Sequence, residues 1–153
     1  WRRRKDLTAA LKWTIGQKIT RTDRQKVDGM DRRLQDHVDF ALKQFGKMPT
    51  ELSNTMKKHQ LKLPDRQCRM AELSKRAQQT VTILVTSMWA HTKKTEIATQ
   101  QADILCQDLR RELTGERPSD RYLKSTMELA DLIIDGGFSE LSDIPVGEIL
   151  MKY

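Results

Sequence analysis

The sequence contains no apolar run of the about 18–20 residues that a membrane-spanning helix requires, and no apolar signal-peptide core near its N-terminus. It has only two cysteines, Cys68 and Cys106, which are too few for a disulfide scaffold or a zinc finger. We interpret them as buried thiols, which predicts a protein of a reducing, intracellular compartment. These absences exclude a membrane-spanning helix and a disulfide-rich secreted domain.

Sequence motifs that carry chemistry are also absent. The chain has no glycine-rich phosphate loop, no dinucleotide-binding fingerprint and no G-x-S-x-G nucleophile motif. His37, His59 and His91 lie on three different predicted helices and lack a partner at a metal-binding spacing. We therefore interpret each of them as a partly exposed helix residue, and we assign carboxylate pairs such as Asp36 and Asp39 to polar helix faces. The sequence predicts no catalytic residue, no metal site and no cofactor in this chain, and no enzyme activity of the chain alone.

The sequence is rich in charged residues, and its apolar residues recur with helical periodicity. Of its 153 residues, 32% are charged and 37% are hydrophobic, against averages of about 25% and about 45–50%. That balance is too charged for a β-sandwich core and too apolar for a disordered chain. Apolar residues recur at helical spacing, which predicts an all-α, up-and-down bundle of five to six helices. The predicted helices cover residues 5–19, 30–45, 51–61, 64–92, 95–113 and 121–134.

Turn residues separate the predicted helices. Gly46 and Pro49 interrupt the chain after the second helix, Gly115 ends the fifth, and Ser119 or Asp120 caps the sixth. The β-branched run 81–85 is kept helical because an apolar stripe passes through it. We expect the core to contain Leu73, Ala77, Val81, Leu84, Leu105 and Leu123, with Met88, Met127 and Ile134 also facing inward.

Three parts make up the predicted domain organisation: a basic N-terminal segment with its linker (1–29), the helical bundle (30–138) and a C-terminal tail (139–153). The first 26 residues hold nine basic and two acidic side chains, a net charge of +7 that equals the charge of the complete chain. Tryptophans and an apolar stripe accompany this charge, a composition typical of a helix that lies on an anionic membrane surface. Contact with nucleic-acid phosphates and packing on the bundle are the alternatives. The predicted contact residues are Trp1, Arg2, Arg3, Arg4, Lys5, Leu7, Leu11, Lys12, Trp13, Ile15, Lys18 and Ile19.

Several short segments carry a family resemblance. They are Ala41-Leu42-Lys43-Gln44-Phe45 at a predicted helix end, Lys57-Lys58-His59, a long helix over residues 67–89, Leu105-Cys106 leading to Arg110-Arg111, and a closing helix that stops at Gly136-Gly137-Phe138. In this order and spacing, residues 34–138 resemble the C-terminal helical domain of the very-long-chain acyl-CoA dehydrogenase family, which acts in fatty acid metabolism.

The resemblance implies an accessory or interaction domain. In that family the catalytic glutamate and the FAD belong to a preceding domain, so no catalytic or FAD-binding residue is carried over to this chain. The helical domain packs over the dimeric catalytic part, and the segment before it is associated with the inner mitochondrial membrane. The implied partners are the chain's own catalytic domain or another protein, and an anionic membrane surface. The implied location is the inner mitochondrial membrane surface or the bacterial cytoplasm. A basic helical module that binds nucleic acid or a protein partner is the alternative function.

Overall fold

A computed structural model of the protein describes residues 25–59 and 67–135. Most of them belong to four α-helices, namely α1 (Arg32–His59), α2 (Gln67–Lys93), α3 (Glu96–Thr114) and α4 (Asp120–Ile134). No β-strand occurs in these two ranges, which confirms the all-α prediction and the helical assignment of residues 81–85. The predicted helix 5–19 and the predicted tail 139–153 lie outside the described residues.

Helix α1 is one helix where the sequence predicts two. It continues through Gly46 and Pro49 to His59, so the predicted interruption is wrong, and the described residues contain four helices rather than the five to six predicted for the whole chain. A proline inside a helix removes one backbone hydrogen bond and costs about 3 kcal/mol. Because Ala41 before the proline and Thr55 after it are both buried, packing on both sides stabilises the continuous helix.

Capping residues end α3 and start α4 where the sequence predicts. The side chains of Thr95 and Ser119 each accept a hydrogen bond from the backbone N–H three residues later, at the start of α3 and of α4. Gly115 ends α3 in the left-handed conformation, at φ 76°, which glycine adopts without a steric cost. Only Lys94 and Thr95 separate α2 from α3, so these two helices form a tight hairpin.

Helices α1, α2 and α3 pack against one another, and α4 packs on α3, which confirms a helical bundle. The core of the described region consists mostly of small side chains, because half of its buried hydrophobic residues are alanines. These residues are Leu34, Val38, Ala41, Ile83, Ala90, Ala98, Ala102 and Cys106. Small side chains at a helix contact permit a short distance between the helix axes.

The core-facing side of α2 is displaced by one residue from the predicted stripe. The structure buries Thr80, Ile83 and Ser87, each one position before a residue of the predicted stripe. One residue corresponds to a rotation of about 100° around the helix axis. The predicted core residue Val81 is therefore exposed, and Leu73, Ala77 and Leu84 are only half-buried.

Two further core predictions are wrong. Leu105 of α3 is 45% exposed, and Leu123 of α4 is 50% exposed. Met127 and Ile134, which were expected to face inward, are exposed as well, and no residue of α4 is buried. Because α4 packs mainly on α3, it has only one covered side. That side consists of the half-buried Tyr122, Ser125, Leu129 and Ile133.

Candidate functional site

An exposed apolar surface, which we call the α2 outer face, is formed by Val81, Val85, Met88 and Trp89. These side chains are between 38% and 59% exposed. Residues 77–92 contain no Asp, Glu, Lys or Arg, although 32% of the chain is charged. This uncharged stretch is about 24 Å of helix. Exposed apolar surfaces are among the surfaces through which proteins contact other molecules, so we treat the α2 outer face as a candidate site.

The inner side of α2 explains why its apolar residues face outward. Thr80 Oγ1 donates a hydrogen bond to the Arg76 carbonyl at 2.8 Å, and Ser87 Oγ donates to the Ile83 carbonyl at 2.8 Å. Both hydroxyls are therefore satisfied by their own helix and can be buried without a partner on another helix. The small inner side chains let α2 approach its neighbours closely, and the larger apolar side chains remain on the outer face.

Cys106 of α3 lies against the inner side of α2. Its Sγ is 3.6 Å from Ser87 Oγ and 3.6 Å from the Ile83 carbonyl oxygen, and burial raises the pKa of this thiol to about 11. A thiol with a raised pKa is a poor nucleophile at neutral pH. The prediction of a buried thiol is confirmed for Cys106 and wrong for Cys68, which is exposed near the start of α2.

A polar network is buried between α1 and α3. His37 is 2% exposed, its Nε2 lies 2.7 Å from Asp103 Oδ1, and its Nδ1 lies 3.1 Å from Arg110 Nη1. Because an arginine can only donate, Nδ1 accepts a hydrogen bond, and Nε2 carries the proton that it donates to Asp103. The Arg110 guanidinium also lies 4.5 Å from the centroid of the Phe40 ring. The expected partial exposure of His37 is therefore wrong.

This network holds α1 and α3 together. Both ring nitrogens of His37 on α1 are hydrogen-bonded to side chains of α3. Burial acts to raise the pKa of Asp103, but hydrogen bonds from His37 and Gln107 outweigh it, and the pKa is lowered. Asp103 is therefore ionised at neutral pH. His59 and His91 are partly exposed, as predicted.

A cavity of about 340 Å³ opens beside this network, and we call it the arginine cavity. Tyr122 of α4 lines it and donates its hydroxyl to Asp108 Oδ1 at 2.6 Å. The contact with Asp108 raises the pKa of Tyr122. The Arg111 guanidinium lies 4.3 Å from the Tyr122 ring centroid. These contacts connect the start of α4 to α3.

A second cavity, of about 440 Å³, lies between α1 and α2. Most of its lining is apolar and includes Met48, Leu52, Met70, Leu73 and Leu113. Glu51 and Arg76 also line it and form an ion pair with each other at 3.2 Å. Among the described residues of this lining, the charged groups are these two, and they are paired with each other.

The described ranges, 25–59 and 67–135, contain no group of three or more His, Cys, Asp or Glu side chains that could hold a metal ion. Among the helices in these ranges, none has the length and apolarity needed to cross a membrane. All predicted contact residues between Trp1 and Ile19 lie outside the described residues, so that site stays a prediction. The α2 outer face was not predicted as a site, because Val81 and Met88 were assigned to the core. The absence of charge over residues 77–92 is the sequence signal that marks it.

Comparison with known protein families, with curated proteins and with solved structures finds no match for this chain. The resemblance to the very-long-chain acyl-CoA dehydrogenases therefore depends on the quoted segments alone. Two of these segments differ from the expected arrangement. Residues 41–45 lie inside α1 and not at a helix end, and residues 57–59 form the last turn of the same helix.

Proposed function

We propose that this chain is an interaction domain, an up-and-down helical bundle whose α2 outer face packs on the catalytic part of an acyl-CoA dehydrogenase. The observation that carries the proposal is the uncharged stretch 77–92 with its apolar side chains exposed. The choice of partner is supported by the family resemblance of residues 34–138. In this proposal the chain contributes no catalytic residue, and FAD belongs to the partner.

The chemistry of the α2 outer face favours a protein partner over a lipid surface. A helix that lies on an anionic membrane has Lys and Arg beside its apolar residues. The charged residues nearest in sequence to the stretch 77–92 are Arg76 and Lys93, at its two ends. Arg76 pairs with Glu51 at 3.2 Å, and Lys93, whose Nζ lies 5.6 Å from the Trp89 ring centroid, is the one basic residue beside the described face. The buried centre of a protein interface is depleted of charge and enriched in aromatic residues and methionine. Met88 and Trp89 fit that composition.

Direct binding tests this proposal. The intact chain is titrated with the catalytic part of a very-long-chain acyl-CoA dehydrogenase prepared without its own helical domain, and the complex is followed by calorimetry and size-exclusion chromatography. We expect a complex with the wild-type chain. Val85→Arg places a charge on the α2 outer face and should weaken binding at least tenfold, because an unpaired buried guanidinium costs more than about 1.4 kcal/mol.

Asn54→Arg is the matched control, since it adds the same charge at an exposed polar position of α1. It should bind like the wild-type chain. Circular dichroism and thermal unfolding establish that both variants keep the fold. Absence of a complex would reject the acyl-CoA dehydrogenase as the partner, and equal binding by the two variants would reject the α2 outer face as the contact surface.

A second function concerns the N-terminal segment 1–29, which we propose to bind an anionic membrane surface. The support is its sequence, because the first 26 residues hold nine Lys and Arg beside two tryptophans, and each basic residue near an anionic leaflet contributes about 1 kcal/mol. The intact chain should sediment with cardiolipin-containing vesicles, and a chain that starts at Gln25 should not. Equal sedimentation of both chains would show the membrane role to be wrong. Salt-sensitive binding to DNA or RNA without vesicle binding would favour the nucleic-acid alternative.

A further inference from the structure

Five arginines line the arginine cavity beside the His37 network. They come from α1, α3, the loop 115–119 and α4, and they are Arg33, Arg110, Arg111, Arg117 and Arg121. The acidic residues of the lining are Asp36, Asp103 and Glu116. Carboxylates outside the lining also contact these arginines, since Asp31 and Glu96 pair with Arg33 and Asp108 pairs with Arg111.

Two of these arginines have no partner among residues 25–59 and 67–135. Arg117 and Arg121 are exposed and form no hydrogen bond or ion pair with the described residues. Arg111 uses its Nη2 to bind Asp108, but its Nε is buried and finds no acceptor within the described part of the chain. Buried polar atoms in proteins are almost always hydrogen-bonded. None of the described residues therefore supplies an acceptor to Arg111 Nε.

The other two arginines are held in place by the fold. Arg33 donates to Asp31 at 3.1 Å and to Glu96 at 3.0 Å, and these carboxylates raise the pKa of Arg33. Arg110 is held by His37 Nδ1 and by the Phe40 ring. Side chains that are positioned before binding lose little freedom when a ligand arrives. The guanidinium groups of Arg33 and Arg110 are thus positioned by the fold, whereas those of Arg117 and Arg121 are unpaired among the described residues.

We propose that the arginine cavity binds the phosphate group of a small molecule, either inorganic phosphate or a phosphate ester. Guanidinium groups bind phosphate oxygens through paired N–H···O hydrogen bonds, and Arg117 and Arg121 have no acceptor among the described residues. Arg117 and Arg121, which form no ion pair with a described residue, carry two positive charges together, and a phosphate group carries about −1.5 to −2 at pH 7. A volume of about 340 Å³ is near the lower end of ligand pockets, which begin at about 300 Å³, so the ligand is small.

Calorimetric titration of the intact chain with inorganic phosphate and with glycerol 3-phosphate tests the site. At low ionic strength we expect saturable binding that weakens as salt is added. The double variant Arg117→Gln, Arg121→Gln removes two unpaired charges from the lining and should weaken binding at least tenfold. The double variant Lys43→Gln, Lys47→Gln is the matched control, because it removes two exposed charges of α1 outside the cavity. It should bind like the wild-type chain.

A second measurement follows Arg111 itself. Either phosphate probe should shift the ¹H–¹⁵N resonance of its Nε–H group, and Arg111→Lys, which keeps the charge but loses the planar fork, should weaken binding at least tenfold. Tighter binding of glycerol 3-phosphate identifies the ligand as a phosphate ester, and tighter binding of inorganic phosphate identifies the free ion. The proposal would be overturned by lack of saturable binding, by equal weakening in the lysine double variant, or by tighter binding of malonate than of either phosphate probe.

Discussion

Truncation of Ile83 to alanine should destabilise the protein by about 3–4 kcal/mol, whereas the same truncation of Val85 should change stability by less than about 0.5 kcal/mol. The two residues are only two positions apart on α2, and they differ in which side of the helix they occupy. Ile83 is 0% exposed and Val85 is 59% exposed. The pair therefore measures the rotation of α2 about its axis.

The expected magnitude for Ile83 follows from its surroundings. It forms a buried cluster with Ala41 and Cys106, against which half-buried residues pack. Ile83→Ala removes three carbon groups, a loss of about 2.4 kcal/mol at about 0.8 kcal/mol for each buried group. The remaining cavity adds about 1 kcal/mol or more, since rigid helices collapse only partly around it. At Val85 the lost burial is small, and alanine's better helix propensity of about 0.5 kcal/mol offsets it.

Urea denaturation monitored by circular dichroism measures both effects. The free energy of unfolding should fall in Ile83→Ala at an unchanged dependence on urea, and it should stay near the wild-type value in Val85→Ala. Leu84→Ala adds a third point, with an intermediate loss because Leu84 is half-buried. If Val85→Ala or Leu84→Ala destabilises more than Ile83→Ala, the helix is rotated differently, and the α2 outer face does not exist as described.

Three further predictions concern single residues. Because the pKa of Asp103 is lowered in the folded state, the stability that its ionised form contributes is complete above about pH 5 and is lost as the pH falls through its folded-state pKa. Denaturation between pH 6 and pH 3 should therefore show a smaller acid-induced loss in Asp103→Asn than in the wild-type chain. In a thiol assay at pH 8, the exposed Cys68 should react at once and Cys106 only after unfolding, because burial raises the pKa of Cys106 to about 11; rapid reaction of both thiols would contradict its burial. Gly115→Ala should cost about 1 kcal/mol by thermal unfolding, since a Cβ there meets no atom within 4 Å and only the left-handed φ of 76° is strained.

The helix ends that the sequence predicts correctly depend on local chemistry. Thr95 and Ser119 cap helices through hydrogen bonds within three residues, and Gly115 ends α3 because its own conformation permits it. Such signals can be read without knowledge of the rest of the chain. Pro49 is the contrasting case, because its local signal predicts a break and tertiary packing of both halves of α1 overrides it.

The orientation of α2 and the burial of His37 could not be predicted from the sequence, because both depend on tertiary packing. Thr80 and Ser87 are polar in sequence, but their hydroxyls bond to their own helix, so a hydropathy pattern places the buried side wrongly. The partner of His37 is Asp103, 66 residues further along the chain. No local spacing indicates a pair at that separation. In the sequence, the residues of the α2 outer face are distinguished only by being apolar. Because we assigned them to the core, we did not predict that they form an exposed surface.

The small core and the exposed face of α2 are two consequences of one distribution of side chains. Among the buried hydrophobic residues of the described region, only Leu34, Val38 and Ile83 are larger than cysteine, while Val85 and other large apolar residues of α2 face outward. Hydrophobic stabilisation grows with the apolar area that is removed from water, so the described core gains less from burial than a core of large side chains would. A partner that covers the α2 outer face would add the missing burial, and it would stabilise the folded chain by mass action. Val85→Arg should then abolish stabilisation by the partner without lowering the stability of the free chain. A charged residue at a core position would instead lower the stability of the free chain as well.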